Sequence, residues 1–494
     1  MKQSALRRVL FLEFNEITWS LIDPFITKGV LPHFARLKHE GTWAVPESND
    51  LSPYLNPWIT WVTVHTGVER SVHGASILEQ AIDTIHAKRS WEYVADAGLS
   101  VGVFGSIGSY PPRPVNGFWV PGPFAPASDT CPPELRPLQD LNRGHTQAHR
   151  RGGAKDSWGT MIRQGVQLLR FGLKASTIFC IVRQLINEKC QPHMSWKRVA
   201  MQSLMNYDFF ASLYRRFRPD YAIWHTNHVA HYMHHYWRAM DDTPFLVSAT
   251  PEEKQRYGGA VEYGYKVADQ LLGRFMRLVD DNTVLVLASS MGQQPYVTEQ
   301  YPAGRITVRM RDIHQILHII GAQGVKAVTP MMAQQWNVTI PDPIKRAQVK
   351  QALLNVYSTG EKHEVFAVDE EGEILRITPR GIAKRELDVQ VFFHNTLDTT
   401  KHEYAFDELF VTDDPTPKEG VHHPQGVLAL WGQGIRQGIE IHHTTNLDIA
   451  PTLLTLLGVA VPPIMQGHVL SGAWKEQPAM PGVGMATVST RQTT

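Results

Sequence analysis

The 494-residue chain is short of cysteine, of net charge and of long apolar runs, and each shortage excludes something. Its three cysteines, Cys131, Cys180 and Cys190, lack metal-type spacing, and any pairing leaves one over, which argues against a disulfide framework and for a reducing compartment. Lysine and arginine together number 48 against 47 acidic residues, a net charge of +1, so the overall charge favours neither a nucleic-acid polymer nor an anionic membrane as partner. A small molecule or another protein is expected instead. No run approaches the roughly 18 apolar residues of a membrane span. The nearest, "STIFCIVRQLI" at 176–186, is interrupted by Arg183 and reads as a buried or interfacial helix. The opening "MKQSALRRVLFLEF" has a short apolar run broken by Glu13 and no small-residue cleavage site, so it reads as a first β-strand and the expected location is cytoplasmic. There is no internal repeat and no long low-complexity segment.

What is present is an alternation of short apolar runs with helical patterns. The run from Val9 precedes a loop, "NEITW", and a stretch whose apolar residues recur at three and four. Further strand-like runs are "SVGVFGSI" (100–107), "DYAIWHT" (220–226), "TVLVLASS" (283–290) and "GVLALWG" (426–432). Such alternation predicts an α/β fold, a central, mostly parallel sheet flanked by helices, with functional residues just past the strands' C-terminal ends. The expected organisation is a core contributed by 1–130, 218–304 and 421–475, a helical cap at 131–217, a smaller α+β insertion at 305–420 and a loose tail at 476–494. Within the core, "HTNHVAHYMHHYW" (225–237) places five histidines directly after a strand.

Four stretches, in order, resemble the alkaline phosphatase superfamily, in particular its type I phosphodiesterase and nucleotide pyrophosphatase branch. "VLFLEFNEITWSLIDPFITKGVLPHFARLKHEGTWA" is similar to that family's first strand, metal loop and helix, and "HTGVERSVHG" (65–74) to the turn after its nucleophile helix. "GSYPPRPVNGFWVPGPFAP" (108–126) resembles a Pro-rich loop, and residues 426–470, with "DIAPTLL", resemble the closing strand and helix. The resemblance implies an alkaline phosphatase-like fold and two divalent metals that hydrolyse phosphate or sulfate esters through a Ser or Thr nucleophile.

The ligand positions depart from that pattern. Where the resemblance implies Asp after the first strand the chain has Asn15, and in place of Asp-His-Gly it has Ser290, Met291 and Gly292. The nucleophile position falls near Pro57, with Asn56 and Thr60 beside it. A neutral amide, a hydroxyl and a thioether suit a hard divalent cation poorly, so the nucleophile-activating metal is expected to be missing. The second metal's positions fall on His231 and His235, four apart and therefore on one helical face, with His422 of "GVHHPQG" as the late ligand. Three histidines are a recognised zinc set with an open fourth position. An alternative register puts Asn227 and His231 there and leaves a weaker site. A third arrangement retains two metals through Glu13 or Glu16.

Plainer roles stand beside these. Asn15 suits a turn or an N-cap, Ser289, Ser290 and Gln293 suit a helix start, and His65 suits a buried, satisfied position. Two functions follow. One is a divergent, single-metal phosphoesterase or phosphodiesterase in which Asn15, Asn227 and Ser290 orient a small phosphate-containing substrate. The other is a non-catalytic relative whose cleft binds a ligand or partner. Fold alone does not choose between them.

Overall fold

The computed structural model describes residues 7–76, 80, 84–151, 168–299, 301–330, 334–358, 364–381, 390–394, 396–397, 400–412 and 417–475. The expected tail at 476–494 lies outside them.

Ten strands organise the core and its cleft: Arg8–Phe14 (β1), Thr42–Ala44 (β2), Val101–Phe104 (β3), Gly117–Val120 (β4), Tyr221–Thr226 (β5), Thr283–Ser289 (β6), Gly292–Pro295 (β7), Gly420–His423 (β8), Val427–Trp431 (β9) and Ile439–Ile441 (β10). Eight form one sheet in the order β10-β2-β9-β6-β1-β5-β3-β4. Every adjacent pair is parallel except those made by β9, which runs against β6 and β2. The α/β architecture is therefore a mixed, mostly parallel sheet flanked by helices. β7 and β8 pair separately as an antiparallel ribbon in which Gln293 lies opposite His422.

β1 shows why the centre is apolar. Alternate residues of a strand point to opposite faces, and Leu10, Leu12 and Phe14 enter one buried cluster while Val9 and Phe11 enter the other. The first cluster is covered by Trp19–Thr27 (α1), Arg198–Phe217 (α4), His228–Met240 (α5) and Ala260–Met276 (α6). The second is covered by Pro57–Thr66 (α2) and Ile449–Leu456 (α7). The remaining helix needed below is Ala175–Cys190 (α3). A third apolar cluster, running from Ile306 to Phe410, holds a four-stranded and a three-stranded antiparallel sheet together. No helix among the described residues is long and apolar enough to cross a membrane.

One residue of β1 breaks the apolar rule. Glu13 is fully buried on the α2 side, where it lies beside His225 of β5 in register. Its Oε1 accepts from His65 Nε2 at 2.8 Å and Ser106 Oγ at 2.9 Å, and its Oε2 accepts from His225 Nδ1 at 2.8 Å. Burial pushes the Glu13 carboxyl up, but His65 and His225 outweigh it and bring it down to about 2.

Replacing Glu13 by Ala strands both imidazoles and the hydroxyl. The expected cost is about 3–5 kcal/mol in equilibrium denaturation. Because the folded value of about 2 lies below the ordinary 4.5, this contribution is complete above pH 4.5 and is lost as pH falls toward 2. The Glu13→Ala protein should lack that part of the wild-type acid dependence.

Candidate metal centre

The C-terminal ends of β1, β5 and β6 bring Asn15 and Glu16, Asn227 and Ser290 to one edge of the sheet, where the β7–β8 ribbon and the start of α2 adjoin them. Asn15 Nδ2 donates to Asn227 Oδ1 at 2.7 Å and to Glu16 Oε1 at 2.9 Å, and its Oδ1 accepts from Trp61 Nε1 at 2.8 Å. It is a buried strut. The N-cap of α1 is Thr18, so the capping role that suits Asn15 in sequence is not the one it has.

Glu16 is the centre. Its φ of +62° lies in the left-handed region, uncommon for any residue but glycine, and its side chain is turned inward to 2 % exposure. The carboxylate accepts from Asn15 Nδ2 and Gln293 Nε2. Two imidazoles face it: His234 Nε2 is 3.1 Å from Oε2, and His422 Nε2 is 3.6 Å from Oε1. These three residues are the one group of three or more His, Cys, Asp or Glu among the described residues whose ligand atoms lie within 4.8 Å of one another.

The far side of each ring decides its chemistry. His234 Nδ1 lies 2.9 Å from Gly420 O, and His422 Nδ1 lies 2.8 Å from Leu55 O. A carbonyl oxygen only accepts, so both Nδ1 atoms carry a proton, and the atom each ring turns toward Glu16 is Nε2, a lone pair when the ring is neutral and an N–H donor when it is protonated. Burial lowers both histidines, His422 to about 4, and Lys418 adds to it, while Glu16 opposes it. Burial alone would raise the Glu16 carboxyl, but His422, His234 and Lys418 hold it well below the usual glutamate range. The two Nε2 atoms and the anionic carboxylate therefore converge on one small space, which either ring protons or a cation can fill. Imidazoles fixed through Nδ1 to backbone carbonyls are also the usual outer support of histidine metal ligands.

α5 and β8 set this geometry jointly. α5 departs from helical angles at Tyr236 (φ −135°, ψ 19°). Glu419 enters the helical ladder there: its N–H donates to His234 O, and its Oε2 accepts from Arg238 N–H at 2.8 Å. An inserted group of this kind is a recognised cause of kinks. Gly420 lets β8 approach so closely, since a Cβ there would meet Met233 O at 2.6 Å and Gln293 Oε1 at 2.3 Å.

The expected trio of His231, His235 and His422 is not brought together. His231 and His235 do share a face of α5, with ring centroids 4.6 Å apart, but His422 joins Glu16 and His234 instead. Burial, with His234 and Lys418, lowers His235 to about 3, and its Nδ1 has no hydrogen-bond partner among the described residues. Thr60 Oγ1 and Ser290 Oγ are 2.8 Å apart and both residues are fully buried. Asn56 Nδ2 donates to Pro53 O at 2.9 Å, and the residue occupies the N-cap position of α2 without a side-chain capping bond. Ser289 Oγ donates to Met291 O, and β7 follows where a helix start was one reading. His234, one of the five histidines of 225–237, was not among the expected ligands.

No protein-family model matches the chain and no curated protein matches it. Among solved structures, human ectonucleotide pyrophosphatase/phosphodiesterase 5 is similar over 92% of this chain and 96% of that one, at 12% identity and a TM-score of 0.44.

Gly420→Ala should separate β8 from α5 at a cost of about 1–3 kcal/mol in denaturant unfolding. Gly259→Ala, whose Cβ would meet nothing within 4 Å, is the tolerated control.

Proposed function

We propose that Glu16, His234 and His422 hold one divalent cation and that the protein is a metal-dependent hydrolase of phosphate esters or diesters. The observation that carries this is the convergence of two imidazole Nε2 atoms, 3.1 and 3.6 Å away, on a buried, ionised carboxylate. Two histidines and a glutamate are a donor set of catalytic zinc sites, which keep a further position open, and the nitrogen-rich set favours zinc over magnesium or calcium. Such a cation supplies charge stabilisation to a phosphoryl oxygen and makes water acidic enough to attack near neutral pH.

The chain's own groups fit a phosphate-bearing substrate. Lys418 adds a positive charge that acts on Glu16, His234 and His422 alike, with burial and Arg305 lowering it to about 8. Exposed Asn227, fixed by Asn15, is placed to orient a substrate oxygen at the rim. The start of α2 lies beside His422, where the helix's partial positive charge favours an anion. The resemblance of the sequence to the phosphodiesterase branch supports the same substrate class. Thr60 and Ser290 are buried and bonded to each other, so the attacking group in this reading is water and not a side chain.

That burial also favours a second reading, in which the same cation holds a phosphate-bearing ligand without turnover. Metal analysis with a substrate screen separates the two. Zinc-reconstituted wild type should hold one ion per chain, His234→Ala and His422→Ala none, and His231→Ala one. Hydrolysis of bis(p-nitrophenyl) phosphate or p-nitrophenyl phosphate that vanishes in the two metal-free variants establishes the hydrolase. One ion with phosphate-ester binding but no turnover establishes the second reading. An absence of metal in the reconstituted wild type removes both.

A further inference from the structure

α3 is apolar on both sides. Its inner face packs Cys180 and Ile181 on the core beside buried Thr177, Gln184 and Glu188, while Phe179 (66 % exposed), Val182 (46 %), Leu185 (43 %) and Ile186 (59 %) face outward, with Leu169 (50 %) just before them. Phe179, Val182 and Ile186 recur at three and four, the spacing of one helical face. The other large exposed apolar side chains among the described residues are scattered along the chain and need no explanation.

Polar contacts fix this orientation. Thr177 Oγ1 donates to Asp208 Oδ2 of α4 at 2.6 Å, and Gln184 Nε2 donates to Met194 O at 2.9 Å. Glu188 is ion-paired with Arg198. Rolling the helix to bury Phe179 and Ile186 would strip all three polar groups of their partners, so the apolar stripe is held outward by design of the buried face.

The rim of the stripe is cationic. Arg170, Lys174, Arg183 and Lys189 are exposed, and the only acid from 168 to 193 is the buried, paired Glu188. Lys174 is partly engaged by Asp208 at 3.8 Å. A groove of about 680 Å³ beyond the helix is lined by Gln191, Lys197, Glu252 and Glu262, and both acids are ion-paired, to Arg256 and Lys266. The net charge of +1 for the whole chain hides this local surplus.

We propose that α3 docks on an anionic lipid surface, lying in the headgroup plane with Phe179, Val182, Leu185 and Ile186 dipped toward the acyl chains and Arg183 and Lys189 on the headgroups. With 16 residues it presents an edge about 24 Å long, and an apolar face bordered by basic residues is the signature of an interfacial helix. Charge selects this occupant over a second copy of the chain, because a two-fold contact through α3 would set the same cations against one another.

Flotation with vesicles tests the proposal. Wild type should partition onto phosphatidylcholine vesicles containing phosphatidylserine at least tenfold better than onto phosphatidylcholine alone, and lose that preference at high salt. Phe179→Glu/Ile186→Glu should lose binding at least tenfold with an unchanged thermal midpoint, since both side chains are already exposed. Arg183→Glu/Lys189→Glu should lose only the preference for the anionic lipid. Absence of wild-type binding, or binding equal in the Phe179→Glu/Ile186→Glu protein, overturns the proposal. So does a concentration-dependent wild-type dimer, seen by analytical ultracentrifugation, that the same double variant dissolves while vesicle binding is absent.

Discussion

The cleft depends on one buried carboxylate, that of Glu16, and on how the groups around it are fixed. Glu13 and Glu16 are three residues apart, both are buried acids, and each is faced by two histidines, yet they differ in kind. His65 and His225 turn N–H groups toward Glu13, and Ser106 adds a third donor, so that anion is satisfied and structural. Around Glu16 the rings are reversed. His234 and His422 each give an Nδ1–H to the Gly420 and Leu55 carbonyls and turn Nε2 toward the carboxylate. Asn15 and Gln293 each give an N–H, which orients the carboxylate without neutralising it. The proposed cation would sit where that carboxylate, held in the left-handed backbone region, meets the two Nε2 atoms.

Much else in the core serves that arrangement. β8 has to come close enough for the Gly420 carbonyl to hold His234 and for His422 to lie opposite Gln293, and only a residue without a Cβ permits the approach. Glu419, next to it, takes over both halves of a broken helical hydrogen bond and fixes the bend of α5 just past His234. Ligands from three distant parts of the chain are thus tied to one another through backbone groups, which move less than side chains. This is the rigid support a metal site requires.

The sheet's centre was legible because its strands are apolar on both faces: β1, β3, β5, β6 and β9 fall within the runs read from the sequence. β2, β4 and β10 were not, being three or four residues long and set in stretches without alternation, β4 within a Pro-rich one. At the site, His422 was found from its position before β9, and the shared face of His231 and His235 exists. The choice between that face and His234 turned on where the carboxylate lies. This depends on Glu16 adopting a positive φ and on Glu419 bending the helix, and neither is written in a local pattern. Asn15 was picked as a polar residue of the cleft, but its role is to hold Glu16 and Asn227 in place.

The same rule, that a buried polar group must find a partner, accounts for both unusual regions of the molecule, with opposite results. At Glu16 the partners include two imidazole Nε2 atoms, and the proposed function places a cation between them and the carboxylate. Along α3 the partners of Thr177, Gln184 and Glu188 are complete, and their satisfaction locks the helix with its apolar side in water. Turning α3 over would cover Phe179 and Ile186, about 1.5–3 kcal/mol for each side chain, at the cost of exposing Cys180 and Ile181, which pack on the core. Two hydrogen bonds and an ion pair oppose that gain, each of them losing about 1–3 kcal/mol if left unmet. The balance keeps the apolar stripe outward. The interrupting Arg183 that rules out a membrane span in the sequence then becomes part of a cationic border, the feature that distinguishes an interfacial helix from a buried one.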